Sequence, residues 1–88
     1  MVNSFNVEYS PEAINDLKNI DKAIAQRIFN KIKWLSNNFS YITPQSLRGN
    51  MKNFYKLRAG DWRVIYTVDL IKKSIRIHMI GHRSEIYK

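Results

Sequence analysis

The hydrophobic period of the chain changes once, near Pro44, and this change most limits the folds open to the sequence. Before Pro44, apolar residues recur at helical spacing, which predicts amphipathic helices. After it, apolar and polar residues alternate over three short runs with turn residues between them, which predicts β-strands joined as a meander. A helical half followed by a stranded half is typical of an α+β domain.

The first half predicts a strand over residues 4–9 and then two helices. Ser10 and Pro11 form a good N-cap and first helical residue, and Asp21 is a good N-cap for the second helix. The apolar stripe of the second helix consists of Ile24, Ile28, Ile32 and Leu35. Because almost no loop separates the two helices, we expect them to form an antiparallel hairpin.

The second half predicts three strands, over residues 53–59, 62–69 and 74–81, with turns at Gly60-Asp61 and Lys72-Lys73. One face of this meander would pack on the helices and the other would be open to solvent. The predicted fold is an N-terminal strand and a two-helix hairpin packed on an antiparallel sheet of about four strands. Residues 1–88 would form a single domain.

Strand alternation sorts the side chains of the meander onto two faces. The residues predicted to face the helices are Tyr55, Leu57, Trp62, Val64, Tyr66, Val68, Ile75, Ile77 and Met79. The residues predicted to face solvent are Lys56, Arg58, Arg63, Ile65, Arg76, His78 and Ile80. The strands place no Asp or Glu beside these basic groups. The pattern therefore favours a functional basic face over the alternative, an ordinary solvated surface.

The net charge of +8 is concentrated in the second half. Residues 1–44 carry five Lys and Arg against four Asp and Glu, whereas residues 45–88 carry ten against three. This asymmetry indicates a polyanionic partner, with RNA as the first candidate.

Composition excludes several classes of function. The chain has no cysteine, so disulfides and thiol chemistry are excluded, and its two histidines are too few for a typical structural zinc site. The N-terminus does not resemble a signal peptide, and no run approaches the roughly 20 apolar residues that span a bilayer. We therefore expect a cytoplasmic protein that does not bind membranes.

The residue types favour RNA cleavage over other hydrolytic chemistry. The acidic residues are few and scattered, so we expect no metal and no cofactor. Ser84 and Glu85 lie beside His82, but adjacency in sequence does not establish a catalytic triad. RNA supplies its own nucleophile, the 2′-hydroxyl, so the protein needs only to stabilise the phosphorane and to transfer protons. Arg and Lys can do the first, and Tyr, His or Lys the second.

Three motifs of the second half resemble those of the RelE/ParE toxin superfamily. They are Leu47-Arg48-Gly49, then Phe54-Tyr55-Lys56-Leu57-Arg58-Ala59-Gly60-Asp61-Trp62-Arg63-Val64-Ile65-Tyr66, then Ile80-Gly81-His82-Arg83-Ser84-Glu85-Ile86-Tyr87. Two helices ahead of a sheet also match, so the resemblance covers essentially the whole chain. It implies the toxin of a type II toxin–antitoxin system. Of the two types it favours the RelE type, whose members are metal-independent, ribosome-dependent endoribonucleases that cut mRNA in the A site by 2′-hydroxyl attack and so inhibit translation.

The resemblance also implies which residues act. The family's catalytic lysine, its phosphate-stabilising arginine and its C-terminal arginine and tyrosine correspond to Lys56, Arg63, Arg83 and Tyr87. The residues expected to bind RNA are Arg48, Lys52, Lys56, Arg58, Arg63 and Arg76. Further catalytic candidates are His82, because some relatives carry a histidine there, and Lys52. The latter could replace a second family lysine, whose position is Phe54 here. The tail is shorter than in the family, so Arg83 can match either of two family arginines.

The implied partners are a RelB-like antitoxin, the ribosome and mRNA. The toxin alone is expected to be a monomer and to form a hetero-oligomer with its antitoxin. We expect an antitoxin segment to cover the sheet face, with Ile65 and Ile80 as exposed apolar anchors. Two alternatives stay open. One is a ParE-like, non-enzymatic inhibitor of DNA gyrase. The other is a catalytically weak RNA-binding relative, which the Phe54 departure would permit.

Overall fold

The computed structural model of the chain describes residues 4–47 and 53–86, with side chains up to Ser84. Strand β1 (Asn6–Tyr9) precedes helices α1 (Pro11–Lys18) and α2 (Lys22–Asn38), a 3-10 turn (Phe39–Tyr41) and the short strand β2 (Gln45–Ser46). Strands β3 (Tyr55–Ala59), β4 (Trp62–Asp69) and β5 (Ser74–His82) lead to the short helix α3 (Arg83–Ile86). No helix in this part of the chain is long and apolar enough to span a lipid bilayer.

The strands form one mixed sheet in the order β1-β5-β4-β3-β2. The pairs among β2, β3, β4 and β5 are antiparallel, whereas β1 pairs parallel with β5. The predicted fold class is confirmed, because an N-terminal strand and two helices pack on a sheet built around the β3–β5 meander. The alternation in residues 4–9 identifies a strand but not the direction of its partner, so it does not predict the parallel pair.

The core lies between the helices and one face of the sheet. Its largest fully buried side chains are Ile28, Ile32 and Leu35 of α2 and Val64, Tyr66, Ile75 and Ile77 of the sheet. Burying one such side chain contributes about 1.5–3 kcal/mol relative to leaving it in water. The helical spacing in α2 and the alternation in the strands put these residues on facing surfaces, as predicted. The core therefore fixes which face of the sheet points away from the helices.

Helix α1 satisfies the backbone of β5 beyond the end of β1. The pairing of the two strands ends at Ile77. Ser10 then donates its backbone N–H to the Ile77 carbonyl, at 2.9 Å, and its hydroxyl to the His78 carbonyl, at 3.0 Å. The Ile80 N–H donates to the Asp16 carboxylate, at 2.9 Å. Unpaired backbone groups at a sheet edge are costly and invite pairing with other chains. Helix α1 removes that exposure here.

A β-bulge at His78 overturns part of the predicted facing of β5. Tyr66 pairs with Ile77 and Ile65 pairs with Met79, so His78 has no partner on β4. One extra residue shifts the alternation by one position. Ile80, predicted to face solvent, is therefore only 3% exposed and lies in the core, whereas Met79, predicted to face the helices, is 48% exposed. Both predictions were wrong for this reason.

Ile65 is also buried, contrary to the prediction of an exposed anchor. It is 5% exposed, although it lies outside the core cluster that contains its neighbours Val64 and Tyr66. In the cross-strand pairs it lies between Lys56 and Met79. Cross-strand neighbours have Cβ atoms about 5 Å apart, so two long side chains flank this shorter one in the middle of the sheet.

Candidate functional site

The basic residues of the meander lie together on the face of the sheet that points away from the core. We call this surface the open face. It comprises Lys56, Arg58, Arg63, Ile65, Thr67, Arg76, His78 and Met79. Arg58 and Arg63 are paired directly across β3 and β4. Like charges in that position repel. The pair is therefore expected at a surface that receives an anion, because an anion between them relieves the repulsion.

Arg63 is the most unusual residue of the open face because it is only 6% exposed. Its Nη1 donates to the carbonyls of Gly60, at 2.9 Å, and Trp62, at 3.1 Å. Gly60 adopts a φ of 64°, a left-handed conformation that glycine tolerates and that forms the β3–β4 turn. The turn thus fixes the guanidinium through backbone oxygens.

The Nε atom of Arg63 is buried and has no hydrogen-bond partner among the described residues. A buried donor without a partner costs about 1–3 kcal/mol. The edge of a guanidinium that carries Nε can fork onto two oxygens of a phosphate or carboxylate. Arg63 is therefore positioned by its own backbone, and its Nε is the part of the guanidinium left without a partner among the described residues.

Lys56 and Arg58 follow each other on the same face of β3. They are two residues apart, which separates their backbones by about 6–7 Å along a strand. Lys56 is partly buried and Arg58 is exposed. Lys56 pairs with Ile65 and Arg58 with Arg63, so three cations occupy two adjacent rows of the sheet.

The N-terminal strand β1 adds an acidic residue to the open face. Alternation within the meander could not reveal this residue, because it lies outside the meander. Glu8 pairs with Arg76 across β1 and β5, and its carboxylate lies 3.7 Å from the Arg76 guanidinium. Both side chains are substantially exposed, and such surface pairs contribute little free energy. Arg76 is thus partly neutralised at the rim of the face, away from the Arg58–Arg63 pair.

The C-terminal candidates separate in space. His82 pairs with Trp62, next to the Arg63–Gly81 pair, so it lies on the helix side of the sheet and not on the open face. Its ring meets the Trp62 ring edge-on, with centroids 5.5 Å apart, and its Nδ1 accepts from the Ser84 N–H, at 3.3 Å. The structure therefore does not bring His82 to Arg63.

Arg83 is exposed, and its backbone lies beside the β3–β4 turn. Its N–H donates to the Asp61 carbonyl, at 2.9 Å, between the two residues that hold Arg63. The start of α3 is thus anchored at the turn that fixes Arg63. Arg48, Lys52 and Tyr87 lie outside the described residues, so their expected roles stay predictions.

The structure adds a cluster at the bulge that the sequence pattern does not single out. His78 is partly buried, not a freely solvated strand residue. The rings of Phe54 and His78 meet edge-on with centroids 5.3 Å apart, and His78 Nε2 shares a hydrogen bond of 2.7 Å with Thr67 Oγ1. Burial lowers the pKa of His78, and the Arg76 guanidinium lowers it further, although Glu12 opposes this. The only sign of this cluster in the sequence was the large apolar Phe54, two residues before Lys56.

The described residues contain no group of three or more His, Asp or Glu side chains that could hold a metal ion. What the open face offers is a set of cations, one of them buried and rigidly held. This arrangement can bind a phosphate diester and can stabilise additional negative charge on it.

Comparison with known proteins gives consistent matches over nearly the whole chain. The family model for the ParE toxin of type II toxin–antitoxin systems (parDE) matches residues 7–87. A protein of Escherichia coli described as RelE-like is 32% identical over 87 residues, covering 94% of this chain and 90% of that protein.

Solved structures have the same fold. The toxin–antitoxin complex RelBE2 of Mycobacterium tuberculosis matches with a TM-score of 0.81 at 21% identity, over 91% of this chain and 99% of that one. The RelE–RelB complex of Pyrococcus horikoshii matches with a TM-score of 0.74 at 24% identity, over 93% and 98%.

Proposed function

We propose that this chain, which belongs to the ParE toxin family of type II toxin–antitoxin systems, is a ribosome-dependent endoribonuclease. It would cut mRNA in the A site without a metal ion and so inhibit translation in the cytoplasm. The observation that carries the proposal is Arg63, a buried arginine held by two carbonyls with Nε unpartnered among the described residues. Exposed cations are enough to bind RNA. A buried, preorganised cation is suited to stabilising negative charge that develops during a reaction.

The reaction begins with attack of an RNA 2′-hydroxyl on the neighbouring phosphorus. A bond forms between the 2′ oxygen and phosphorus while the bond to the 5′ oxygen breaks. The 2′-hydroxyl proton passes to a base, and the departing 5′ oxygen takes up a proton. The products are a 2′,3′-cyclic phosphate and a 5′-hydroxyl.

The open face supplies the electrostatic part of this mechanism. Arg63 stabilises the phosphorane through the Nε edge, and Arg58, directly opposite, contacts the RNA backbone. We assign the proton transfers to Lys56, one row away, and to Tyr87 in the tail. Arg83 is an additional phosphate contact, because its backbone is anchored at the Gly60–Trp62 turn. His82 has no role in this scheme, because it lies on the other side of the sheet.

The proposed partner in the resting state is a RelB-like antitoxin with an acidic segment that covers the open face. The M. tuberculosis relative was solved as a toxin–antitoxin complex and the P. horikoshii relative as a RelE–RelB complex, which supports an antitoxin as the partner. Ile65 and Ile80 are buried and cannot be its apolar anchors. Met79, exposed in the row of Lys56, takes that role. The free toxin is proposed to be a monomer.

The family match also favours a second candidate function, non-enzymatic inhibition of DNA gyrase by a ParE-like toxin. The fold is shared, so fold does not decide between them. A catalytically weak RNA-binding relative is the third alternative. The buried Arg63 favours the nuclease over both, because neither gyrase binding nor simple RNA binding needs a preorganised phosphorane contact.

Mapping of mRNA 5′ ends by primer extension after induction in growing cells tests the proposal. We expect codon-phased cuts in translated messages. Arg63→Ala should reduce cutting by about 10²–10³ fold, the usual cost of one oxyanion donor. Tyr87→Phe should reduce it by about 10²–10⁴ fold if it transfers a proton. The matched control is Arg27→Ala, which removes the same charge from an exposed position of α2. Growth arrest with intact mRNA and an induced DNA-damage response would support gyrase as the target instead.

A further inference from the structure

We infer that Phe54 and His78 form a subsite that stacks one base of single-stranded RNA beside the cleaved phosphate. The inference rests on the proposed function, because it assigns the substrate contact next to the catalytic residues. Its first support is position. Phe54 lies immediately before β3, two residues ahead of Lys56, and its ring contact with His78 places it beside the open face.

The second support is the rigid arrangement of the two rings. The His78 ring meets the Phe54 ring edge-on at 5.3 Å and an interplanar angle of 61°. Thr67 holds the imidazole in place through the hydrogen bond of 2.7 Å to Nε2. Phe54 is partly exposed, so the pair is not sealed off from solvent. Edge-on packing is a favoured geometry for aromatic pairs and contributes about 0.5–1.5 kcal/mol.

The third support is that His78 is itself the bulged residue of β5, while its hydrogen bond with Thr67 keeps it on the open face. His78 has no partner on β4, and its carbonyl accepts a hydrogen bond from the Ser10 hydroxyl. In a regular strand without the bulge, Met79 would face the helices and Ile80 would face the open side. Bulges re-aim side chains and are common beside functional sites. Here the bulged residue is the histidine that contacts Phe54, next to the row of Lys56, Ile65 and Met79.

The chemistry of the neighbourhood identifies the occupant. Lys56 and Arg76, the latter partly neutralised by Glu8, lie near the aromatic pair, and basic residues interleaved with aromatic ones are how proteins hold single-stranded RNA. The cations bind phosphates while the ring stacks with a base, and stacking accepts every base because each has a flat π-face. A nucleotide whose phosphate contacts Lys56 can therefore place its base on Phe54. This subsite would set which nucleotide beside the cut is held most firmly.

The first test compares Phe54→Leu with Phe54→Tyr in cleavage by the full chain on programmed ribosomes. Removing the aromatic ring on which one base stacks weakens substrate binding by about 5- to 150-fold. We expect Phe54→Leu to lose that much in kcat/KM and to alter the preferred base beside the cut, and Phe54→Tyr to retain both. The matched control is Tyr41→Leu, which removes a strongly exposed aromatic residue from the 3-10 turn that follows α2.

A second readout does not depend on activity. An uncleavable RNA, with a 2′-deoxy nucleotide at the attacking position and 2-aminopurine next to it, should lose fluorescence when the base stacks on the wild-type toxin. The quenching should disappear with Phe54→Leu and remain with Tyr41→Leu. His78→Gln keeps a polar partner for Thr67 but removes the supporting ring, so it should weaken RNA binding by about 2- to 10-fold. It tests the subsite even if Phe54→Leu fails to fold.

The outcomes separate the two proposals. If the wild type cuts RNA and Phe54→Leu matches it in rate, base preference and quenching, the subsite is refuted while the nuclease stands. If the wild type does not cut but quenches 2-aminopurine through Phe54, the subsite stands and the nuclease fails. A Phe54→Leu variant that weakens antitoxin binding and leaves both RNA readouts unchanged would assign the ring pair to the antitoxin, and the inference would be overturned.

Discussion

Replacing Ser10 by alanine should destabilise the domain more than loss of an ordinary helix cap. The Ser10 hydroxyl accepts from the Ala13 N–H, at 3.1 Å, and donates to the His78 carbonyl, at 3.0 Å. Loss of an N-cap side chain costs about 1 kcal/mol. The carbonyl left without a donor is partly buried and adds about 1 kcal/mol, the low end for a buried acceptor. Ser10→Ala should therefore lower the free energy of unfolding by about 2 kcal/mol.

Urea unfolding and thermal melting followed by circular dichroism measure this loss. For a domain of this size, 1 kcal/mol lowers Tm by about 4–8 °C, so a decrease of about 8–16 °C is expected. Asp21→Ala is the matched control, because Asp21 caps α2 through an exposed, local bond from the Ala23 N–H. It should cost about half as much. If Ser10→Ala is no more destabilising than Asp21→Ala, the link between α1 and the bulge contributes no stability, and the reasoning is refuted.

Two further predictions test the sheet. Ile80→Asp should lower the free energy of unfolding by more than about 3 kcal/mol and Met79→Asp by less than about 1 kcal/mol, because the bulge buries Ile80 and exposes Met79. Urea unfolding measures both changes, and equal effects would contradict the bulge. Burial, and then repulsion from Tyr55, raises the pKa of Tyr66 from 10.0 to about 12. Folding therefore favours its protonated form, and stability falls as pH rises above 10. The Tyr66 contribution to this loss is about 1.4 kcal/mol by about pH 11. Tyr66→Phe should unfold in urea with a shallower loss over the same pH range; an unchanged slope would refute the assignment.

The elements that depend on local pattern were predictable from sequence. The N-caps Ser10 and Asp21 start the two helices as expected, and the stripe of α2 faces the core. The turn at Gly60 separates β3 and β4, because glycine tolerates the positive φ that it requires. Alternation then placed Arg58 and Arg63 on one face, since side-chain direction in a regular strand depends only on parity.

The remaining features depend on contacts between distant segments. The bulge at His78 changes the parity within β5, and nothing local to that strand specifies it. Its backbone is satisfied by Ser10 and Asp16, which lie more than sixty residues away in sequence. The Glu8–Arg76 pair likewise needs the parallel register of β1 on β5. The rigid hold on Arg63 by two carbonyls could not be read from residue types, because main-chain acceptors leave no signal in the sequence.

Cleavage by the purified chain on ribosomes programmed with a defined mRNA tests the central claim most directly. The claim predicts a cut within the A-site codon that leaves a 2′,3′-cyclic phosphate and a 5′-hydroxyl. The cut should vanish with a 2′-deoxy nucleotide at the attacking position and fall by about 10²–10³ fold with Arg63→Ala. Intact mRNA under these conditions, or products with a 3′-hydroxyl and a 5′-phosphate, would contradict it.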